Sequence, residues 1–432
     1  MEIRDLRSFI DVLESKGELI RIKEPVELAK APAMMRESDK MDKPAPFFEK
    51  IVGYNVPLVS CLLSNMRRIA LALGVEREQI IHKLTEYLDH PIKPKIVQDG
   101  PVKEVVVKKN IDLLKMFPIP VHAKKDSGPF VSSGVVVARD PETGRLNLSY
   151  NRMEVKGPTK LGIHIDPWRH LGDFYNVAES RGEALPIAVC IGLDPAIEIA
   201  AAAKVPFDEF ELAGAIRGRP IELVKGESVD IEVPAHAEIV IEGRILPKIR
   251  EPEGPFAEFM GYYGMHPAQP VFEITCITHR ESPIYRTMLG ASWEHIILGN
   301  VIYREPVLYK FVKHVVPTVK AVHLPPYASG LLALISIKKE NEGTPKNAIF
   351  AALASHVNIK QVVVVDEDVD IFDPKDVWWA IATRTQADKD WLIMPRAFGH
   401  PLDKTSDRGV TTKVGIDATV PLARKAEFER VV

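Results

Sequence analysis

Between residues 130 and 286 the chain is a succession of short β-like runs: SSGVVVARD, LNLSYNRMEV, LPIAVCIGL, VDIEVPAHAEIVIEGRIL, PVFEITCITHR and PIYRTML. Val, Ile, Thr and aromatic residues recur in them, and turn signals such as DPETG lie between. Strands at this density leave their backbone groups unsatisfied unless they pair with one another. The stretch predicts a β-rich central domain, with a helical insertion near residues 207–217.

The flanks read differently. DLRSFIDVLESKGELIRI predicts a helix, a turn at Gly17 and a strand. RRIALALGVEREQIIHKLTEYL carries apolar residues at helical spacing and predicts one or two helices. The proline-rich KPAPFF and HPIKPKI punctuate this segment. Beyond about residue 311, LLALISIKK, TPKNAIFAALASH, QVVVVD and DPKDVWWAIATRT alternate strand and helix. The last has Asp373 as N-cap and Pro374 in its first turn. The expected fold is a mixed α/β (α+β) multidomain chain: an N-terminal α/β domain over 1–115, a central β domain over 116–310 and a C-terminal α/β domain over 311–432.

Composition removes several function classes. With 432 residues, 46% of them hydrophobic and 27% charged, the chain is an ordinary globular one. A formal net charge of −3 argues against a general nucleic-acid binder. Cys61, Cys190 and Cys276 form no CxxC pair, against a disulfide framework or a cysteine zinc site and in favour of a reduced, cytoplasmic setting. The opening MEIRDLRSFIDVLESKG is charged and amphipathic rather than leader-like. The most apolar stretch, LPIAVCIGLDPAIEIAAAAKVP, is broken by Asp194, Glu198 and prolines and does not read as a membrane span.

The common nucleotide, protease and hydrolase motifs are missing: no GxGxxG after a strand, GxxxxGK[ST], HExxH or GxSxG. DEDVDIFD (366–373) lacks the central Gly and closing Glu of a calcium loop and reads as a strand-to-helix connection. Two groups remain. NLSYNRMEVKGPTKLGIHIDPWRH holds Asn147, Arg152, His164 and His170, and DEFELAG adds Glu209 and Glu211 near a helix start. An Asn, a His and a Glu suit a hard divalent cation whose shell a phosphate oxygen completes; a surface His and a helix-start Glu account for the same residues. EPEGPFAEFMGYYGMHP (251–267) places Glu253 and Glu258 in apolar, aromatic surroundings. Burial there predicts a raised carboxyl pKa. Both pairs, Asn147/Arg152 and Glu253/Glu258, are five apart, so a regular strand would turn their members to opposite faces. Asn147 and Arg152 share a pocket only if Asn147 ends its strand or a bulge intervenes. Gly254 and Pro255 make convergence of the glutamates easier.

NLSYNRM, PWRH, DEFELAG, PAHAEIVIEG, EGPFAEFMGYY and TTKVGIDAT occur in an order that resembles the UbiD-like family, the prenylated-flavin-dependent decarboxylases of unsaturated acids, over roughly residues 5 to 425. The resemblance implies a central split β-barrel of the flavin-reductase type. It implies that Asn147, His170 and Glu209 bind a divalent cation, usually manganese, against the flavin phosphate, with potassium often nearby. It implies Arg152, Glu253 and Glu258 as the catalytic set, Arg152 pairing with the substrate carboxylate and Glu258 donating the proton. Ser149, Arg169 and Lys413 are implied flavin contacts, although a lysine on a surface strand explains Lys413 equally. A separate flavin prenyltransferase would supply the cofactor, and a homodimer or assembly of dimers is expected. The compact chain, with only five glutamines and many charged residues, resembles the archaeal members that convert trans-anhydromevalonate 5-phosphate to isopentenyl phosphate. The alternatives are a hydroxybenzoate-type aromatic acid decarboxylase, a plain FMN oxidoreductase, or a non-catalytic carboxylase subunit.

Overall fold

The computed structural model describes residues 2–431. The chain divides into two compact units, one up to Leu298 and one from Gly299.

The first unit opens as its sequence pattern predicts. Helix Leu6–Ser15 is capped by Asp5, whose side chain accepts from Ser8 N, and Gly17 at φ +70° turns the chain into strand Leu19–Ile22. The second helical stretch is two helices, Met66–Leu73 and Ile80–Asp89, with Gly74 in the left-handed conformation that stops the first. KPAPFF does more than punctuate: Ala45–Phe48 is a fully buried strand in parallel register with Leu19–Ile22. Its two phenylalanines bury enough apolar surface to outweigh the proline beside them.

The centre is one nine-stranded sheet. We number its strands β1 (Val105–Val107), β2 (Phe130–Val131), β3 (Val135–Arg139), β4 (Leu146–Tyr150), β5 (Met153–Val155), β6 (Lys160–Ile163), β7 (Leu185–Ile191), β8 (Ile239–Ala257) and β9 (Tyr263–His279). The order is β2-β5-β6-β9-β8-β7-β3-β4, with β1 added to β9, and the pairings are antiparallel. It is an open, half-barrel version of the expected split barrel. Val135, Val136, Val137 and Ala138 are all buried, so β3 is covered on both faces and reads as a continuous apolar run rather than an alternating one.

Helix His170–Ser180 covers β3, β4, β7 and β8, and helix Glu209–Arg217 packs on β4. The second is the expected insertion. The first was not foreseen, because DPWRHLGDFYNVAESRG has only a weak apolar stripe and sits among strong strand signals.

The second unit has strands β10 (Val319–His323), β11 (Leu332–Ile337), β12 (Gln361–Asp366), β13 (Trp391–Phe398) and β14 (Val410–Ala418) in the order β10-β11-β12-β14-β13. Its inner pairs are parallel, and helices Thr344–Ser355 and Pro374–Arg384 provide the crossovers. Asp373 caps the second helix by accepting from Lys375 N at 2.9 Å. Asp366 and Asp368 of the acidic run face Arg384 at 3.3 and 2.6 Å, as a strand-to-helix connection requires.

Candidate active site

Two clusters form around the β4–β5 segment. Asn147 lies inside β4, paired opposite Ala138. The strand ends at Tyr150, and Asn151 and Arg152 lie in an irregular link before β5. Asn151 Nδ2 donates to His164 O at 2.8 Å and its Oδ1 accepts from Ser149 Oγ at 2.7 Å, which fixes the link. The strand breaks after Tyr150, so strict alternation does not carry from Asn147 to Arg152.

The first cluster joins Asn147, His170 and Glu209. His170 Nδ1 is 2.9 Å from Asn147 Oδ1, and Glu209 Oε2 accepts from Leu148 N at 2.9 Å. His170 and Glu209 are each the first residue of their helix, so two helix N-termini with their partial positive charge face β4. Glu209 is 1% exposed, and burial pushes its carboxyl up to about 8. A buried glutamate carboxyl beside an amide oxygen and an imidazole is a donor set that fits a divalent metal. Ser149 is occupied by Asn151, and Arg169 is exposed, 3.5 Å from Asp166.

The second cluster is built on the β8–β9 hairpin. Glu253 pairs with His266, and Phe256 with Gly264. Three steps along β8 (253 to 256) thus match two along β9 (266 to 264). The extra residue is a bulge, and it brings Glu258 back to the face of Glu253. Gly254 makes the bulge possible: its φ is +91°, and a Cβ there would meet Gly264 O at 2.8 Å. The expected interruption of the strand is therefore a bulge within a continuous strand. Glu154 Oε2 accepts from Gly254 N at 3.1 Å and Asp126 Oδ1 from Ala257 N at 3.0 Å, pinning the bulge on both sides.

Arg152 sits between the two glutamates. Its Nε and Nη2 donate to Glu253 Oε1 and Oε2 at 2.7 and 3.1 Å, and its guanidinium lies 4.9 Å over the Phe256 ring. Nη1 is 2.9 Å from Glu258 Oε1 as an ion-pair contact without the alignment of a hydrogen bond. Gly264 leaves the room: a Cβ there would lie 2.6 Å from Glu258 Oε1.

The expectation of a raised Glu258 pKa is overturned. Burial pushes it up, but His266 and the charges of Arg152, His295 and His164 outweigh burial and hold the carboxyl below its ordinary value. Phe256, Phe259 and Met260 are its neighbours in sequence, whereas Arg152, His164 and His295 arrive from elsewhere in the fold. His164 and His295 are themselves pushed down by burial, His295 to about 4.

The three domains of the 3-octaprenyl-4-hydroxybenzoate carboxy-lyase match in order: the N-terminal domain at residues 10–88, the Rift-related domain at 95–292 and the C-terminal domain at 298–418. The chain belongs to the UbiD family of carboxy-lyases. Among curated relatives, the anhydromevalonate phosphate decarboxylase of Methanothermobacter thermautotrophicus is 42% identical over 87% of this chain and 88% of its own length. That of Methanosarcina mazei is 39% identical over 99% and 98%. Among solved structures, the UbiD-class enzyme HmfF from Pelotomaculum thermopropionicum, in complex with FMN, superimposes with a TM-score of 0.95 at 46% identity, covering 99% of this chain and 97% of that one. An evolved dimeric form of HmfF carries prFMN.

Against that family background two residues change standing. Lys413, on β14 of the second unit, is buried and donates to Leu353 O and Val357 O at 3.4 and 3.2 Å, at the end of helix Thr344–Ser355. His266 lies in EPEGPFAEFMGYYGMHP, where the sequence alone assigns it no role. Counting outward from the turn centred on Met260 places it opposite Gly254, next to Glu253, which is the signal that could have found it. A cavity of about 860 Å³ borders the same loop, with Arg36, Lys124, Tyr54, Ala257 and Tyr262 in its lining. Among the described residues no helix is long and apolar enough to cross a membrane.

Proposed function

We propose that the chain binds prenylated FMN and decarboxylates an α,β-unsaturated acid, with trans-anhydromevalonate 5-phosphate as its substrate and isopentenyl phosphate as the product. The observation that carries this reading is the buried Arg152 between Glu253 and Glu258. The prenylated flavin supplies the electron sink that lets carbon dioxide leave a carbon conjugated to a double bond.

The chain's own residues do the rest. Glu253 engages Nε and Nη2 of Arg152 and orients the guanidinium. The substrate carboxylate takes Nη1 as a charge-assisted partner. Its arrival puts three carboxylates around one guanidinium. Like charges at such distances raise a carboxyl pKa, so Glu258, ionised beforehand, takes up a proton as substrate binds. It then stands protonated beside the carbon that loses carbon dioxide. Asn147, His170 and Glu209 would hold Mn²⁺ against the flavin phosphate; Ser149, Arg169 and Lys413 are further candidate flavin contacts, and potassium belongs to the same reading. A flavin prenyltransferase supplies the cofactor, and the working form is a homodimer or an assembly of dimers. The anhydromevalonate phosphate decarboxylases among the relatives support the substrate.

The test is anaerobic assay of protein co-produced with a flavin prenyltransferase. Isopentenyl phosphate formed from trans-anhydromevalonate 5-phosphate is the expected outcome. Turnover of 3,4-dihydroxybenzoate but not of the phosphorylated acid would reassign the substrate to an aromatic acid. Turnover with unmodified FMN would remove the cofactor claim. His170→Ala should lose metal and flavin together; full flavin retention by metal-free protein would remove the metal site.

A further inference from the structure

Decarboxylation consumes a proton: RCOO⁻ and H⁺ give RH and CO₂. The proton on carbon comes ultimately from water. Glu258 is only 4% exposed, so each cycle needs a route from solvent to its carboxyl. Its carboxylate form at rest makes the requirement stricter.

His266 lies on that route. Its Nε2 is 4.0 Å from Glu258 Oε1, and both atoms are buried without a hydrogen bond. The His266 side chain as a whole is 25% exposed against 5% for Glu258. The ring therefore spans from the buried carboxylate to the surface. Register with Glu253 fixes its backbone. Its ring lies against that of His164, with centroids 4.3 Å apart, and His164 Nε2 is 3.4 Å from Asp166 Oδ1.

The same neighbourhood has a rival use. Ligand atoms of His164, Glu253 and His266 lie within 4.8 Å of one another, as a cation site would need. But both Glu253 oxygens already accept from Arg152. A metal there would face the guanidinium at close range, where like charges repel. The arrangement suits a proton better than a metal ion.

We propose that His266 reloads Glu258 with protons from solvent, as a positioning and relay residue acting through Glu258. Resting on the reading of Glu258 as proton donor, it assigns one further step. An acid in solution protonates the imidazole. Nε2–H passes its proton to Glu258 Oε1, the ring returns to neutral, and Glu258 delivers the proton to carbon. A gap of 4.0 Å exceeds a hydrogen bond; a small side-chain rotation closes it, or one water bridges it. The groups facing the pair are Arg152 from the β4–β5 link, Glu253 from β8, His164 after β6 and His295 after the helix start at Ser292.

The experiment compares His266→Gln with Glu258→Gln in the cofactor-loaded enzyme. His266→Gln should lower kcat about tenfold or more with little change in KM. Its pH–rate profile should lose the limb set by the imidazole, its rate should become more sensitive to D₂O, and added imidazole should restore part of it. A second readout needs no activity. In cofactor-free protein Glu258→Gln should change the NMR signal of the His266 ring nitrogen Nε2, which lies 4.0 Å from Glu258 Oε1. Parental kcat and pH profile in His266→Gln beside an inactive Glu258→Gln would overturn the relay and leave the donor standing. Normal turnover by Glu258→Gln would overturn both. Loss of one metal ion per chain in His266→Gln would give the trio to a cation and overturn the relay. An unchanged His266 ring signal in Glu258→Gln would do the same should His266→Gln fail to fold.

Discussion

Arg152 and Arg286 are both buried guanidiniums flanked by two glutamates. Arg286 Nη2 lies 2.8 Å from Glu198 and 3.0 Å from Glu294, with all three side chains at most 3% exposed. There the carboxylates are anchored to the backbone: Glu294 accepts from Cys61 N at 3.1 Å and Leu63 N at 2.7 Å. The titratable neighbours of Arg286 include Tyr150 and Cys61, both held far above their ordinary values by burial. They are poor proton carriers at neutral pH. Arg152 instead has Glu258, an acid with no hydrogen bond on Oε1, three histidines near it, and one of those reaching the surface. One arginine with two glutamates can serve as a clamp or as a proton-handling site. The difference lies in what satisfies the carboxylates and whether a titratable group connects them to water.

Glu258→Gln should give the largest effect. Turnover should fall about 10²–10⁴-fold while affinity and melting temperature stay near those of the parent, measured on equally loaded protein. Near-normal turnover would make the two clusters alike. Arg152→Ala is a blunter probe, since it strands Glu253 in the interior without a cation. Glu294→Ala should do the opposite of Glu258→Gln. Removing one partner of a buried ion pair costs about 3–5 kcal/mol, here read as a lower denaturant midpoint, with turnover per folded, loaded site retained. A loss confined to turnover would break the contrast from the other side.

Gly264→Ala comes next. The new Cβ would push the Glu258 carboxyl from Arg152, and overpacking costs about 1–3 kcal/mol. Turnover should fall by more than stability alone explains; unchanged kinetics would show that the room beside Gly264 is not needed. The last effect is a pH slope and concerns Glu198, which burial pushes up to about 7. Because the folded state holds this proton more tightly than the unfolded chain, folding stability due to Glu198 is greatest below about pH 4.5 and declines as pH rises to about 7, by at most about 1.4 kcal/mol per pH unit. Denaturation curves of Glu198→Gln should lack this slope; an identical slope would place the titration elsewhere.

Much of this was legible in the sequence, for identifiable reasons. Strand runs, the turn at Gly17 and the Asp373 cap are local, so periodicity and capping reveal them. Helix His170–Ser180 was hidden because its burial is set by the sheet beneath it. The grouping of Arg152 with Glu253 and Glu258 came from resemblance, since spacing of five argues against it until the bulge at Gly254 is known. The charge state of Glu258 was misjudged from its sequence neighbours. The groups that lower its pKa, Arg152, His164 and His295, lie far from it in sequence, and no local pattern shows them.

The β4–β5 segment has one more consequence. Asn147 and Arg152 are separated by five residues, and a chain of that length spans at most roughly 17 Å. One anchor belongs to the ligands proposed to grip a phosphate, the other to the group proposed to grip a carboxylate. The backbone between them acts as a fixed ruler. A flavin stripped of its phosphate leaves one end of that ruler empty, and a longer tether overshoots it. On that proposal, a single insertion between Asn147 and Arg152 would shift the two grips relative to one another while leaving every side chain intact.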